Sequence, residues 1–501
     1  MRVSHIFAGV GVAALTVPAL AQVAQPAAQA PASAPTETLR EAMAKAYNTN
    51  PDIAGERANV RVADENVPIA RAAGLPGLDS NAGYNENLYD SDASALGSPR
   101  TGSAGVSLSV PVFSGGAVRN SVRAAETRVE ASRAGLRSAE GDLFRNVVSV
   151  YMDVLRDEAI VRLNQQNVRV LDVNLQATRD RFEVGDLTRT DVAQSEARLA
   201  ISQSQLRGAE AQLISSRENY IRVVGSAPGV LAPPPPLPNL PQSPDEAVRV
   251  ALAENPDLDT AAKLRDASAY DVNVARAGRL PRVSVGVSGD YYNRFGGVSQ
   301  IGRQLGTPND GFATSAGVNL TLPLFQGGRP AAQVRQAQAR QSAAIEQATA
   351  TERAVIAQAR SSYAVWQSAL RVIESSKIAV SANRLSLEGV RAENSVGTRT
   401  ILDILNAEQE LLNSQVQLVQ AERDAYVAGF AVLVAMGRAE ASDLGLDGGP
   451  LYDPLVNYNR VRRSVSDWRD NPTPRAEATR TVDTPAQTPA VTGPIESVDP
   501  R

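Results

Sequence analysis

Two stretches of the chain alternate apolar and polar side chains with a period of two residues. In the first stretch Val106, Leu108, Val110 and Val112 alternate with Ser107, Ser109 and Pro111. In the second, Val318, Leu320, Leu322 and Leu324 alternate with Asn319, Thr321 and Pro323. Such alternation is typical of a β-strand with one apolar and one polar face. A further strand precedes each stretch, so the pattern predicts strand pairs over 78–113 and 282–325.

After each strand pair the apolar pattern becomes helical. The segments 117–184 and 331–396 hold almost no helix-breaking residue in their interiors and predict helices about 100 Å long. Helices of that length must be covered by neighbouring helices as in a coiled coil. Gly185 and Gly397 are expected to end them. Shorter return helices are predicted over Val192–Val224 and Leu402–Met436, with further helices at 37–73 and 245–278.

The chain contains an internal repeat. The marks GVSLSVPVFSGG (105–116) and VGDLTRTDV (184–192) recur as GVNLTLPLFQGG (317–328) and VGTRTILDI (396–404), each displaced by 212 positions. Earlier marks, such as Asn50-Pro51 and Asn255-Pro256, are displaced by 205. Repeats of this kind indicate one structural unit used twice. We assign the first repeat to 37–226 and the second to 245–438, and we expect the extra length of the second in an external loop, Arg294–Gly311.

The remaining segments differ in composition from the repeats. Residues 1–21 resemble a secretory signal peptide that ends in an A-x-A site. An Ala/Pro-rich linker (22–36) follows it, and a Pro-rich connector (227–244) separates the repeats. The segment 439–469 keeps leucine, tyrosine and tryptophan and is expected to pack on the outside. The tail 470–501 is predicted to be disordered.

Composition excludes several classes of function. The chain has no cysteine, and its one histidine, His5, lies in the predicted signal. This excludes Ser-His-Asp and Cys-His catalysis, the usual zinc sites and an N-terminal lipid anchor on cysteine. An enzyme would be left with carboxylate or lysine chemistry. The formal charge of −4 and the lack of a basic face argue against nucleic acid as a partner, and no cofactor is expected.

Four amphipathic strands of about ten residues have the length of transmembrane β-strands. They cannot close a barrel alone, and a sheet in lipid cannot leave an open edge. Three chains would supply twelve strands and close one barrel. Phe113 and Phe325, at equivalent strand-to-helix junctions, are candidates for an interfacial aromatic girdle. A small soluble β-domain with one wet face is the alternative.

With these elements in place, the chain resembles the TolC family of outer-membrane efflux proteins over about residues 37–437. The most specific segments are GTRTILDILNAE (397–408) and GDLTRTDV (185–192). The resemblance implies a homotrimer in which a twelve-stranded membrane β-barrel continues into an α-helical, coiled-coil periplasmic tunnel. It also implies a passive exit duct in the outer membrane of a Gram-negative bacterium. Such a duct docks to an inner-membrane pump or ABC exporter through a periplasmic adaptor.

The resemblance also implies a gate at the periplasmic tip. Arg399 matches an arginine that latches the closed tunnel, and its partners match Thr190 and Asp191. A tyrosine of the same network corresponds to Asn394, so this chain departs from the pattern there. Each residue has a structural alternative: Asp191 and Gln194 could form a capping box, and Arg399 could be a solvated turn residue.

Two further sets of tip residues follow from the resemblance. Asp403 matches the first of two carboxylate rings in the aperture, whereas the second ring falls on Asn406. Asp403 could instead simply favour the start of a helix. The tip turns 185–191 and 397–402 are expected to dock the adaptor, through Gly185, Leu187, Gly397 and Thr398.

Two other classes of function remain open from the sequence. A periplasmic coiled-coil adaptor would also contain long helical hairpins, although strand pairs that lead directly into such helices do not fit its usual modules. A hydrolase would need two carboxylates in one cleft, and the sequence places none together. The cargo of a duct, whether drugs, metals, peptides or proteins, is set by the pump.

Overall fold

The structure is a computed structural model that describes residues 36–88, 98, 100–298, 300–446 and 451–491. The predicted signal peptide and nearly all of the linker lie outside the described residues. The elements, in chain order, are β1 (Thr36–Glu37), α1 (Leu39–Thr49), α2 (Pro51–Ala72), β2 (Gly77–Glu86), β3 (Arg100–Phe113), α3 (Ala117–Glu183), α4 (Arg189–Val224), β4 (Val230–Leu231), α5 (Pro244–Glu254), α6 (Pro256–Ala277), β5 (Arg282–Phe295), α7 (Gln300–Gln304), β6 (Asp310–Thr321), α8 (Arg329–Ser395), α9 (Ile401–Ala435) and α10 (Leu455–Val461).

The two repeats have the same helical framework. The long helices α3 and α8 each contain 67 residues, and α2 and α6 each contain 22. At 1.5 Å per residue the long helices measure about 100 Å. Asn50 and Asn255 cap α2 and α6 with their side chains, and a proline occupies the first turn of each helix. The framework therefore repeats at the displacements of 205 and 212 positions seen in the sequence.

The four long strands form one antiparallel sheet in the order β2-β3-β5-β6. Residues that pair across the strands share a face, so the sheet has an apolar and a polar side. One cross-strand row consists of Leu78, Leu108, Val287 and Ala316, and the adjacent row on the other face consists of Asp79, Ser107, Ser288 and Ser315. This arrangement matches the two faces predicted from the alternation.

Each strand of the sheet adjoins a helix at the same end of the sheet. Helix α2 leads into β2, β3 into α3, α6 into β5 and β6 into α8. The helices pack in the same order as the strands, α2 on α3, α3 on α6 and α6 on α8. A layer of four strands thus continues as a layer of four helices, with β2 and β6 at the edges of the sheet.

The strands differ in length between the repeats. The counterpart of Glu86, where β2 ends, is Tyr291, but β5 continues to Phe295. Part of the extra length therefore lies in the strand, whereas the sequence predicts it in the loop. Strand β6 ends at Thr321, before Leu322 and Leu324. The prediction of a strand up to residue 325 is wrong. Thr321 pairs with Arg282, the first residue of β5, so the residues after Thr321 have no partner strand within the chain, whereas β3 pairs with β5 as far as Phe113.

Aromatic side chains occupy both ends of the apolar face. Tyr291 pairs with Phe312 at the loop end of the sheet, and the rings of Tyr84 and Phe295 lie 6.0 Å apart there. At the helix end, Phe113 closes β3 and is 49% exposed. Phe325 is 89% exposed but lies outside the strand.

The main core lies around the middle of the helical region. It combines α1, the central part of α3 and the ends of α4 and α9 with Ala439, Ala441 and Leu446 of the C-terminal segment. The hydroxyl of the fully buried Tyr151 lies 2.6 Å from the carbonyl oxygen of Ala232 and 2.9 Å from that of Glu37. These hydrogen bonds connect the small β1-β4 ladder to α3, so the ladder packs on the main core.

Part of the C-terminal tail, which the sequence predicts to be disordered, packs on the rest of the chain. Between residues 470 and 491 the chain lacks helix and strand, but Gln487 donates to Glu218 and Val491 packs on the main core. The tail is low in apolar residues, so its position depends on polar contacts that composition does not reveal.

Candidate functional site at the helical tips

The two long helices end in the same left-handed turn. Gly185 has φ +84° and Gly397 has φ +81°, values that only glycine adopts without strain. Each turn closes with the hydrogen bonds of a Schellman motif. The N–H groups of Gly185 and Asp186 donate to the carbonyls of Phe182 and Arg181, and those of Gly397 and Thr398 donate to the carbonyls of Asn394 and Glu393.

Both return helices begin with a capping box. The N–H of Thr188 donates to Asp191 at 2.9 Å and the N–H of Asp191 donates to the Thr188 hydroxyl at 3.3 Å. Thr400 and Asp403 form the same pair, at 2.9 and 3.4 Å. Asp191 is thus the third helical residue of a box headed by Thr188, and the predicted pairing with Gln194 is wrong. The boxes start α4 at Arg189 and α9 at Ile401, which makes both turns shorter than predicted.

Arg399 is held within its own turn. Its Nε donates to Glu393 at 2.7 Å, and its carbonyl oxygen accepts from the Asn394 amide at 2.8 Å. Glu393 is also the main reason that the pKa of Arg399 is raised. Within one chain no hydrogen bond or ion pair joins Arg399 to Thr190 or Asp191, all of which lie in the described part of the chain. The predicted latch residues therefore do not meet inside a single protomer.

Asp403 and Asn406 lie one turn apart on the same face of α9. Hydrogen bonds from the backbone and the hydroxyl of Thr400 lower the pKa of Asp403, with a smaller contribution from Arg399. Asn406 accepts a hydrogen bond from Arg198 of α4. Asn406 therefore forms a contact between the two hairpins of this chain, a role that the sequence does not predict.

Near the tips a small apolar cluster joins the two hairpins, and one ion pair lies within each hairpin. Leu405 of α9 is 2% exposed and packs with three leucines of the first hairpin, Leu171, Leu175 and Leu199. Within the hairpins, Arg179 pairs with Glu196 at 2.7 Å and Arg391 pairs with Glu408. The two ion pairs are displaced by 212 positions, so comparison of the repeats would have revealed them.

The outer surface of both turns is accessible. Gly185, Gly397 and Thr398 are exposed, and Leu187 is half-buried. Val184 and Val396, which precede the glycines, are 81% and 74% exposed. Exposed apolar side chains at matching positions are available for contact with another protein.

The described residues contain no cluster of carboxylate or imidazole groups that could hold a metal ion. Among the described helices, none is both long enough and apolar enough to cross a membrane.

The two-faced sheet, the continuous wall of strands and helices and the paired tips define the class of protein, an outer-membrane channel with a helical tunnel. The profile of the family described as "Outer membrane efflux protein" matches residues 42–226 and 247–438, one match for each repeat. The chain belongs to this family.

Individual relatives agree with this assignment. The outer membrane efflux protein BepC of Brucella suis is 34% identical over 427 residues, covering 85% of this chain and 91% of BepC. The outer membrane protein TolC of Escherichia coli is 26% identical over 427 residues, covering 84% and 86%. The crystal structure of the Campylobacter jejuni CmeC outer membrane channel has a TM-score of 0.69 at 16% identity, covering 86% of this chain and 90% of CmeC.

The chain is therefore an exit duct of efflux or type I secretion systems in the outer membrane of a Gram-negative bacterium. It acts as a homotrimer with a periplasmic adaptor and an inner-membrane pump or exporter. Both repeats match the duct family, so the alternative of an adaptor is not supported.

Proposed function

We propose that the duct is passive and that its gate is a latch between tip turns of neighbouring protomers. In this latch Arg399 of one protomer contacts Thr190 and Asp191 of the next, and Asn394 orients Arg399 through its carbonyl group. The observation that carries the proposal is a difference between two turns of the same backbone. Their capping residues are repeated, whereas Leu187 in the first turn is replaced by Arg399 in the second.

The contacts that Arg399 makes within its own chain fit a reversible latch. Arg399 and Glu393 are each about half exposed, and an exposed ion pair contributes little to stability because solvent screens it. Exchange of Glu393 for Asp191 of a neighbour would replace one carboxylate by another at little cost. Three such contacts per trimer would close the tip without preventing a docked adaptor from opening it.

We place Asp403 in the aperture together with Asn406. The hydrogen bonds from Thr400 keep the pKa of Asp403 low, so three ionised carboxylates would surround the mouth of the trimer. A ring of carboxylates at a narrow opening attracts cations. Asn406 adds no charge, so the ring would carry three negative charges rather than six.

The adaptor would dock on the exposed outside of the turns. Gly185, Leu187, Gly397 and Thr398 lie there, beside the exposed Val184 and Val396. We further assign Phe113 and Phe325 to the periplasmic rim of the barrel, where aromatic side chains favour the lipid interface. The energy for transport and the choice of cargo would come from the pump, with no catalytic step in the duct.

Conductance of the purified trimer in planar bilayers tests the latch. Arg399→Ala should raise the closed-state conductance. Glu393→Gln should not, because this change removes only the partner that Arg399 has within its own chain. Arg384→Ala, about four turns higher on α8, is the matched control for loss of an arginine. Equal effects of Arg399→Ala and Glu393→Gln would show a local structural ion pair and refute the latch.

Block by multivalent cations tests the aperture. Asp403→Asn should weaken the block from the periplasmic side, because it removes all three carboxylates of the ring. Asp186→Asn removes the same charge from the outside of the first turn and should leave the block unchanged. If both variants behave alike, Asp403 does not line the aperture.

A further inference from the structure

The C-terminal segment climbs along α2 towards the membrane sheet. The hydroxyl of Tyr452 lies 3.5 Å from the carbonyl oxygen of Arg57, and the amide of Asn457 donates to Asp64 at 2.9 Å. Further along, Arg71 donates to the carbonyl of Arg462 at 3.4 Å. Residues five positions apart in the segment thus contact residues two turns apart on α2, the helix that leads into β2.

The chain then turns back. Arg460 donates to Asn471 at 3.0 Å, which closes a loop over residues 462–470. Glu477 pairs with Arg61 at 3.6 Å. Arg61 lies on α2 about three turns before Arg71, farther from the sheet. Gln487 then reaches Glu218 of α4, far below the sheet. Residues 462–470 are therefore the apex of a hairpin-like excursion, at the end of α2 nearest the barrel.

The apex lies close to the base of the sheet. Five residues separate Arg71 from Gly77, the first residue of β2, a span of at most about 20 Å. The apolar face of the sheet begins there with Leu78, which is 71% exposed. A nine-residue loop anchored at the level of Arg71 can extend over much of this distance.

The apex has an unusual composition for a solvent loop. Every residue from 462 to 470 is exposed, including Trp468 at 95% and Val465 at 73%. The segment 460–475 contains five arginines and two aspartates in a chain whose formal charge is −4. Tryptophan favours the headgroup region of a bilayer, and clustered arginine favours anionic lipid.

We propose that the loop 462–470 binds the inner leaflet of the outer membrane, with Trp468 in the headgroup region and the flanking arginines on anionic phospholipid. The proposal rests on insertion of the barrel in that membrane. The loop would then anchor each protomer to the membrane surface beside the barrel, at the end of α2 that leads into β2.

Tryptophan fluorescence tests the contact, since the chain has only two tryptophans, Trp366 and Trp468. Trp366 lies on α8 against Tyr363, away from the loop. The variant Trp366→Phe leaves Trp468 as the only reporter. In vesicles of phosphatidylcholine and phosphatidylglycerol brominated near the headgroups, its emission should fall by at least about twofold, as expected for an interfacial tryptophan. The emission of Trp366 in Trp468→Phe should not change.

Two further variants separate position from chemistry. Val482→Trp, made with both native tryptophans replaced by phenylalanine, places an exposed reporter on the descending arm and should not be quenched. Arg463→Gln with Arg469→Gln should weaken quenching of Trp468 in vesicles with phosphatidylglycerol. Trimers that insert and conduct while Trp468 remains unquenched and open to iodide would overturn the membrane contact alone. Failure to insert would overturn the duct assignment and this inference with it.

Discussion

Replacing Glu140 by glutamine should make the stability of the protein less dependent on pH. Glu140 lies on α3 within the main core, is only 8% exposed and accepts a hydrogen bond from the Tyr47 hydroxyl at 3.4 Å. Burial is the largest cause that raises its pKa from 4.5 to about 7, and the nearby Glu440 adds to this, while Arg57 partly opposes it. The folded protein therefore holds a proton there that the unfolded chain has already lost.

The sign and size of the effect follow from this shift. Between pH 4.5 and about 7 the folded state binds the proton more tightly, so this group stabilises the protein fully at low pH. The contribution is lost as the pH rises through about 7. A shift of this size corresponds to about 3 kcal/mol per protomer. Above that range the ionised carboxylate has to remain in the core.

Urea unfolding of the detergent-solubilised trimer at a series of pH values measures this contribution. The free energy of unfolding of the wild type should fall relative to that of Glu140→Gln by about 3 kcal/mol between the low-pH and high-pH limits. Glu126→Gln, an exposed carboxylate on the same helix, is the control and should follow the wild type. If Glu140→Gln also follows the wild type over the whole range, the proton is not bound where the core geometry places it.

Three further substitutions test the tips and the repeat. Leu405→Ala should cost about 2–5 kcal/mol locally and speed hydrogen exchange in the adjoining helices, whereas Leu402→Ala, at a more exposed position, should have little effect. Thr400→Ala should remove a capping box and cost about 1 kcal/mol, seen as faster exchange in the first turn of α9. Gly437→Ala should lower the thermal stability more than Gly225→Ala. Both glycines have positive φ, but a Cβ at Gly437 would lie 2.4 Å from a backbone oxygen, whereas at Gly225 it meets only side chains.

The framework of the fold could be predicted because its signals are local and occur twice. The start of α3 follows from the glycines at 115–116, and its end follows from Gly185. The same marks bound α8 at a displacement of 212. The strand end at Thr321 could not be predicted in this way, because it depends on whether a neighbouring strand is present, and the sequence of β6 resembles that of β3.

The candidate site was only partly accessible from the sequence. Each capping aspartate lies three residues after a threonine, a spacing that predicts the capping box. The pattern of Asp191 with Gln194 has the same spacing, however, and predicts a partner after Asp191, whereas the actual partner, Thr188, precedes it. Glu393, the partner of Arg399 within the chain, precedes it by six residues. Residues at this spacing come into contact here only because the chain reverses at Gly397. Contacts across a turn depend on its geometry, which a helical pattern does not contain.

The distribution of buried groups explains why a gate would lie at the tips. The main core fixes the middle of the molecule with fully buried side chains such as Tyr151 and Phe144. Near the tips, the described residues of the two hairpins share a small cluster around Leu405, the contact of Arg198 with Asn406 and exposed polar groups. Segments with few buried apolar contacts open at low free-energy cost. An adaptor that binds the exposed turns could therefore spread the hairpins while the middle of the tunnel keeps its structure.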